Sequence, residues 1–442
     1  MTNSLTYLLI LLLTGITAIV VLTTRFKVPA FFSLFAACLL VGFGIKMPAG
    51  EVVTTIKDGF GNILKSLGLI IVFGNTLGVL LEYTGSTTTM ASFLLKRMGN
   101  RYASWAMSIT GFIVGLPVFC DSGFMVLNGL NHSMVKRTGA SLAAMSVSLA
   151  TGLYAIHCLI PPHPGASAAA ATIGVDFGRL ILIGSLVAIP AMVAGNLWAN
   201  YAGRKAPDAL ADDILDEGTT GTGPSLFKAC LPVFVPIALM AVRSVLTGGG
   251  RLPQGWVSFI IPFGDPVIAL LIGVLLALNC KRSWKRTELS RLLQESVEKA
   301  GGVLMIIGMG GAFGAILAAT KIGQHFGESM DLAGMGIFFP FLLTSVLKTA
   351  QGSSTVAIIT ASSLVLPLLP ALGLNDEHGK LLCVLAMGAG SMMISHANDG
   401  YFWAIGKFAG LEMKTMLRVY SVATIIMGLT SITCVYILSK IL

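Results

Sequence analysis

The ten residues IHCLIPPHPG, 156–165, set two histidines and three prolines in the middle of an apolar stretch running from Ser141 to Val175. A helix in a soluble core would not hold that run, because each proline removes a backbone donor and its ring collides with the turn before it. Inside a bilayer, irregular backbone persists where other protein or a water-filled cavity satisfies its polar groups. Composition decides which solvent applies. Of 442 residues, 55% are hydrophobic and 11% charged, against about 25% charged in soluble domains, and the mean hydropathy is +0.84. Stretches such as Leu5 to Thr24 and Ser225 to Val242 are long enough to cross ~30 Å of hydrocarbon. The chain reads as an all-α polytopic membrane protein. Residues 141–176 then form a discontinuous helix, broken at Pro161, Pro162, His163, Pro164 and Gly165, with a half-helix resuming near Ala166.

Leu5 to Leu22 has no basic segment before it and no A-x-A site after it, and Arg25 and Lys27 follow closely. It reads as a retained first helix rather than a signal peptide. The seven cysteines (38, 120, 158, 230, 280, 383 and 434) sit in or beside apolar segments. Most suit the role of small apolar filler and none builds a secreted disulfide framework; Cys120 and Cys158 stand apart because of their neighbours. The net charge of +9 implies no nucleic acid, since the basic residues gather in short loops, where they set membrane orientation. On that rule KRSWKRTELSRLLQESVEK, 281–299, is a cytoplasmic loop and 204–224 a cytoplasmic linker. Arg25, Lys27, Lys96, Arg97, Arg101, Lys136 and Arg137 fall on the same side, and both termini on the other.

Basic residues at both ends of the apolar stretch 103–132 force a choice. One span would carry one basic cluster across; a hairpin that turns back keeps both inside. Two arms of about a dozen residues each reach ~18 Å, roughly the midplane. The centre GLPVFCDSGF, 115–124, predicts a re-entrant hairpin with its tip at Cys120-Asp121-Ser122-Gly123. A matching stretch, 334–369, has acidic flanks (Glu328, Asp331, Asp376, Glu377) and the centre AQGSST, 350–355. Its ends suit the opposite side. SHANDG, 395–400, breaks a second long helix over 381–408. Gly74 and Gly78 reappear as Gly310 and Gly314, and His157 as His396, at spacings of 236 and 239 residues. Residues 1–203 and 225–442 therefore read as inverted repeats, each with a hairpin and a broken helix, which is the sequence pattern of secondary transporters. Four irregular elements meet near the midplane, where half-helix N-termini offer an anion site.

FCDSGF at 119–124, LIPPHPG at 159–165, GGAFG at 310–314, GSSTVAIITA at 352–361 and SHANDGYFW at 395–403 together resemble the gluconate permease (gluconate:H⁺ symporter) family, in order and spacing over almost the whole chain. The resemblance implies a secondary carrier in the bacterial cytoplasmic membrane that takes up gluconate or a related hydroxy acid with a proton. Relatives also carry D-serine and short hydroxy acids. It also implies kinship with elevator-type carriers, whose hairpin tips hold the substrate carboxylate, and a homodimer with no cofactor. Two departures bear on the substrate: Asp121-Ser122 at the first tip, and Ala166 after PPHPG, where proline is common.

On this reading Cys120, Asp121, Ser122, Gly123, Gly352, Ser353, Ser354 and Thr355 bind substrate at the tips, with Lys348, Asn398 and Asp399 beside them. Asp121, His157 and His396 are the proton-coupling candidates, since an ionisable group at bilayer depth is functional by default and histidine titrates near neutral pH. Each has a plain alternative: Asp121 a helix cap, the histidines hydrogen-bonded packing, Asn398-Asp399 an Asx turn, Ser353 to Thr355 bonds to their own backbone, and Lys348 snorkelling. His163 braces the break, and His132, His325 and His378 are loop or interface residues. Hydroxyl-rich tips also suit Na⁺, so sodium coupling stays open. His157, His163, His396 and Asp121 lack the spacing of a metal site, and no nucleotide-binding loop is present.

Overall fold

The computed structural model describes residues 5–99, 102–206, 223–247, 257–321 and 334–442, and no strand occurs among them. Most of the expected linker lies outside the described residues, as do Arg101, His325, Glu328 and Asp331. The chain opens with α1 (Leu5–Thr24), α2 (Ala30–Gly44) and the long α3 (Ala49–Tyr83), then the short α4 (Ser86–Met98). Two helices follow around a link, α5 (Ala103–Val114) and α6 (Cys120–Thr138). The quoted run separates α7 (Leu142–Leu159) from α8 (Pro164–Ile173), and α9 (Phe177–Gly203) ends the first half. Among the described residues the second half has a similar helix order. It comprises α10 (Leu226–Thr247), a single turn α11 (Val257–Ile260), α12 (Pro266–Leu278) and the long α13 (Arg286–Ala319). Next come α14 (Phe338–Gln351) and α15 (Ser354–Val365), then α16 (Glu377–Ser391) and α17 (Gly400–Ala409). The last helix is α18 (Met413–Leu438), with a π-turn at Met416–Ser421.

Among the described residues seven helices are long and apolar enough to cross a membrane, counting 142–173 as one. Large apolar side chains such as Phe227, Val245, Phe259 and Val346 point outward, as a lipid-facing surface requires. α7, by contrast, is buried throughout, and α8 is buried except at Ala171 and Thr172. α3 and α13, at 35 and 34 residues, are each about 50 Å long at 1.5 Å per residue. They cross at Gly59 and Gly311, where an added Cβ on Gly59 would lie 2.7 Å from the Gly311 carbonyl oxygen; the small residues let the backbones touch. The first pair of repeated glycines faces the irregular elements, and the second pair faces a helix. Gly78 leaves room for the Pro117 carbonyl and Gly74 for Pro162, while Gly310 and Gly314 pack on Ile359 and Ser363 of α15.

Three sequence expectations shift. Cys120-Asp121-Ser122-Gly123 is not the turn between α5 and α6 but the first turn of α6; the link is Gly115–Phe119. Pro117 sits in that link, and Asp and Ser are as much at home in a first helical turn as in a loop. The first break spans Ile160–His163, so Pro164 and Gly165 belong to α8; proline at the first helical position costs no hydrogen bond. The basic stretch 281–299 is not a loop either: from Arg286 onward it is α13.

Candidate functional site

The link between α14 and α15, at Gly352 and Ser353, lies against the second break, 392–399. The end of α14 leaves carbonyls unpaired, and side chains of the break satisfy them. Asn398 Nδ2 donates to the Thr349 carbonyl at 2.8 Å and the Ala350 carbonyl at 3.1 Å, and His396 Nε2 lies 3.1 Å from the Thr349 oxygen. Lys348 Nζ donates to Asp399 Oδ2 at 2.6 Å and also to the Gly352 carbonyl. The Ser395 hydroxyl donates to the same Oδ2, and Oδ1 accepts the Tyr401 N–H at 3.0 Å, capping α17. The two charged side chains are 0% and 7% exposed. Lys348 neither snorkels nor pairs with Asp121; its counter-ion is Asp399.

The first half has a similar brace built on an imidazole. His163 caps α8 in position and its Nε2 lies 2.6 Å from the Gly115 carbonyl oxygen at the end of α5. Because a carbonyl only accepts, Nε2 carries the proton and the ring is held in one tautomer. His163 and Asp399 are the N-cap residues of α8 and α17, 236 positions apart, the spacing of the glycine pairs. His157 and His396 are therefore not equivalent in place: His157 lies in the last turn of α7, His396 within a break.

His157 stands where three irregular elements meet. Its Nε2 is 3.4 Å from Thr355 Oγ1, and its ring is 4.9 Å from that of His163 and 6.3 Å from that of Phe119. Nδ1 is buried with no hydrogen-bond partner, and both amide atoms of Gln351, beside Gly352, are likewise unpaired. The N-termini of α8 and α15 start side by side, since a Cβ on Gly165 would fall 3.3 Å from Thr355 Cα. Their first turns, PGAS and STVA, hold no acid, so their partial positive charges are free to act on an anion. Ser353 Oγ accepts the Val356 N–H at 3.3 Å and caps α15.

The other two N-termini carry acids. α6 and α17 run side by side in the same direction: Phe124 meets Tyr401 edge-on at 6.3 Å, and Asn128 Nδ2 donates to the Phe408 carbonyl at 2.6 Å. Asp121, in the first turn of α6, thus stands beside Asp399 at the cap of α17. Its side chain is exposed, and its hydrogen-bond contact is the Cys120 thiol at 3.6 Å. Ser122 faces Glu82 at the end of α3. A buried aromatic cluster, Tyr154, Tyr401 and Tyr420, lines this side, and Tyr154 Oη donates to the Ser391 carbonyl at 3.0 Å. Gln351 and Tyr154 were not singled out in the sequence; their positions, one residue before the second link and three before His157, are the available signals. Among the described residues no group of three His, Cys, Asp or Glu side chains is placed to hold a metal.

Buried broken helices among lipid-length ones define a class, the polytopic helical membrane transporters. Two solved transporters share the fold: YdaH of Alcanivorax borkumensis (TM-score 0.62, 14% identity, 89% of this chain and 90% of that one) and MtrF of Neisseria gonorrhoeae (TM-score 0.66, 15%, 88% and 84%). The chain belongs to the GntP family of permeases, whose family model matches residues 7–441. It is 33% identical to a gluconate permease of Pseudomonas aeruginosa over 99% of this chain and 98% of that one. It is 30% identical both to a high-affinity gluconate transporter (98% and 100%) and to an L-idonate transporter (98% and 99%) of Escherichia coli. It is thus a multi-pass transporter of the bacterial inner membrane.

Proposed function

We propose that the protein takes up gluconate or a closely related small hydroxylated carboxylate together with a proton, by an elevator movement. One observation carries this reading: the acid-free N-termini of α8 and α15 start side by side, next to unpaired polar atoms of His157 and Gln351. Helix ends of that kind stabilise a carboxylate, and buried polar atoms without partners suit a ligand with several hydroxyls. In this arrangement Ser353, Ser354 and Thr355 hold the carboxylate, and Gln351 and His157 meet hydroxyl groups. Relatives named for gluconate and L-idonate transport fit that chemistry. Asn398 and His396, committed to α14 carbonyls, position the second link rather than touch substrate.

The same reading makes α5–α6 and α14–α15 re-entrant hairpins in two inverted repeats, with links near one depth. The equal spacing of the glycine pairs and of the N-caps His163 and Asp399 supports it. Hairpins and broken helices travel together against α1–α3 and α10–α13, in a homodimer. Single cysteines at Lys96 and Lys136 should be labelled from one face of the membrane; labelling from opposite faces refutes the first hairpin. The function is tested in liposomes. Labelled D-gluconate should enter when the interior is made alkaline, and replacing Na⁺ by choline at fixed pH should change nothing. Uptake that follows Na⁺ and ignores the pH gradient overturns proton coupling. Competition by L-idonate, glycerate and D-serine ranks the substrate class.

A further inference from the structure

If the substrate is an anion and its partner a proton, some group must make each wait for the other. Lys348 was the natural anion-binding charge, but it is already neutralised by Asp399. Asp399 in turn uses both oxygens, on Lys348, the Ser395 hydroxyl and the Tyr401 N–H. Adding a proton to Asp399 would strand a wholly buried lysine whose other acceptor is one carbonyl; removing one partner of a buried ion pair is the costly change. This pair is a fixed dipole that ties the end of α14 to the second break.

Asp121 is different in each respect. It is exposed, caps nothing, and its hydrogen-bond contact is a thiol at 3.6 Å. The parallel packing of α6 on α17 sets it beside Asp399, and Lys348 lies within electrostatic reach. We infer that Asp121 carries the coupled proton and that Asp399, held as a carboxylate by Lys348, is the positioning residue that ties this protonation to anion binding; the inference rests on the carrier reading above.

The charges around the site decide the order of events. Facing Asp121 are Cys120 on its own helix, Lys348 from α14, Asp399 and Tyr401 from α17 and its cap, and the buried Tyr154, Cys158 and Tyr420 around Asp399. Glu82 of α3 stands one residue along, on Ser122. Lys348 and Asp399 cancel, so an ionised Asp121 leaves the cluster with an unbalanced negative charge. A carboxylate beside another is disfavoured in its charged form, and an arriving aldonate adds to the same repulsion. With Asp121 protonated, the aldonate no longer meets an added carboxylate charge there and meets the α8 and α15 N-termini. Each ligand thus favours the other, as reciprocal coupling requires, at one proton per monoanion.

The test measures D-gluconate uptake into liposomes as a function of pH, with counterflow as the readout that needs no net proton movement. Asp121→Asn should keep counterflow and lose its response to the pH gradient. Asp399→Asn keeps a capping side chain but unmasks Lys348, which then favours the charged form of Asp121. Its pH midpoint should move to the acid side by about one unit, a shift that a merely structural role would not produce. The double variant Lys348→Met with Asp399→Asn removes both charges, leaves no unpaired buried ion, and should retain gradient-driven uptake because Asp121 remains. Parental pH dependence in Asp121→Asn, or an unmoved midpoint in Asp399→Asn, refutes the inference. A monodisperse double variant with counterflow but no gradient-driven uptake places the proton on Asp399 and refutes it too. A parent that carries gluconate with no response to the pH gradient refutes proton coupling itself, and this inference with it.

Discussion

Replacing Gly352 by alanine tests whether the second link is pressed against the second break. Gly352 has φ +84°, and a Cβ there would lie 2.6 Å from the carbonyl carbon of Asn398 and closer still to its oxygen. Gly174, the C-cap of α8, has nearly the same φ, +83°, but nothing within 4 Å of an added Cβ. Both alanines cost roughly 1–2 kcal/mol for an L-residue in the left-handed region. Only Gly352→Ala adds an overlap with backbone that cannot rotate away, worth about 1–3 kcal/mol more. The expected losses are therefore about 2–5 kcal/mol for Gly352→Ala and about 1–2 kcal/mol for Gly174→Ala. Thermal unfolding in one detergent ranks the two, and gluconate uptake separates them further, because the overlap displaces Ser353 and Thr355 while Gly174 lies at the far end of α8. Equal losses in unfolding temperature, or parental uptake by Gly352→Ala, would show that the link does not bear on Asn398.

Further outcomes follow from the same geometry. Lys348→Met alone leaves Asp399 buried without its cation and should lose about 3–5 kcal/mol; adding Asp399→Asn should recover most of the lost unfolding temperature, and a double variant no better than the single refutes the brace. His163→Ala removes the donor to the buried Gly115 carbonyl and should cost about 1–3 kcal/mol by the same melting assay. Arg179–Glu377, a 2.6 Å pair joining the starts of α9 and α16, is 33% and 81% exposed, so Arg179→Ala should change stability by less than about 1 kcal/mol and leave uptake unaltered. His157→Gln loses an imidazole beside Thr355 and should weaken gluconate binding in calorimetry without moving the pH midpoint of uptake.

Local chemistry made the breaks legible. Three prolines within four residues cannot continue a buried helix, and apolar length announced the membrane. The ends of the broken elements were read a few residues off, because Asp, Ser and Pro are welcome both in a turn and in the first turn of a helix. The equivalence of His157 and His396 failed for a related reason: residue type was matched where element position decides, and position pairs His163 with Asp399. Partnerships were illegible. Lys348 meets Asp399 across 51 residues and Tyr154 meets Ser391 across 237, and nothing local in Gln351 signals that its amide goes unpaired.

That exchange of a histidine for an aspartate at matched N-caps carries a consequence. In the first half an imidazole donates to one carbonyl; in the second, a carboxylate is paired with a buried lysine. The N-cap beside α6 is thus an acid, and the N-cap beside α15 is not. An anion therefore meets favourable helix ends on the α8–α15 side and carboxylates on the α6–α17 side. Had both caps been histidine, Asp121 would have no fixed neighbour of like charge, and its charged form would be less disfavoured. Asp399→His with Lys348→Met builds that arrangement. Its liposome uptake of gluconate should still respond to the pH gradient but fall away at lower pH than the parent's, and a profile that still follows the parent's would show that Asp399 does not set the proton requirement.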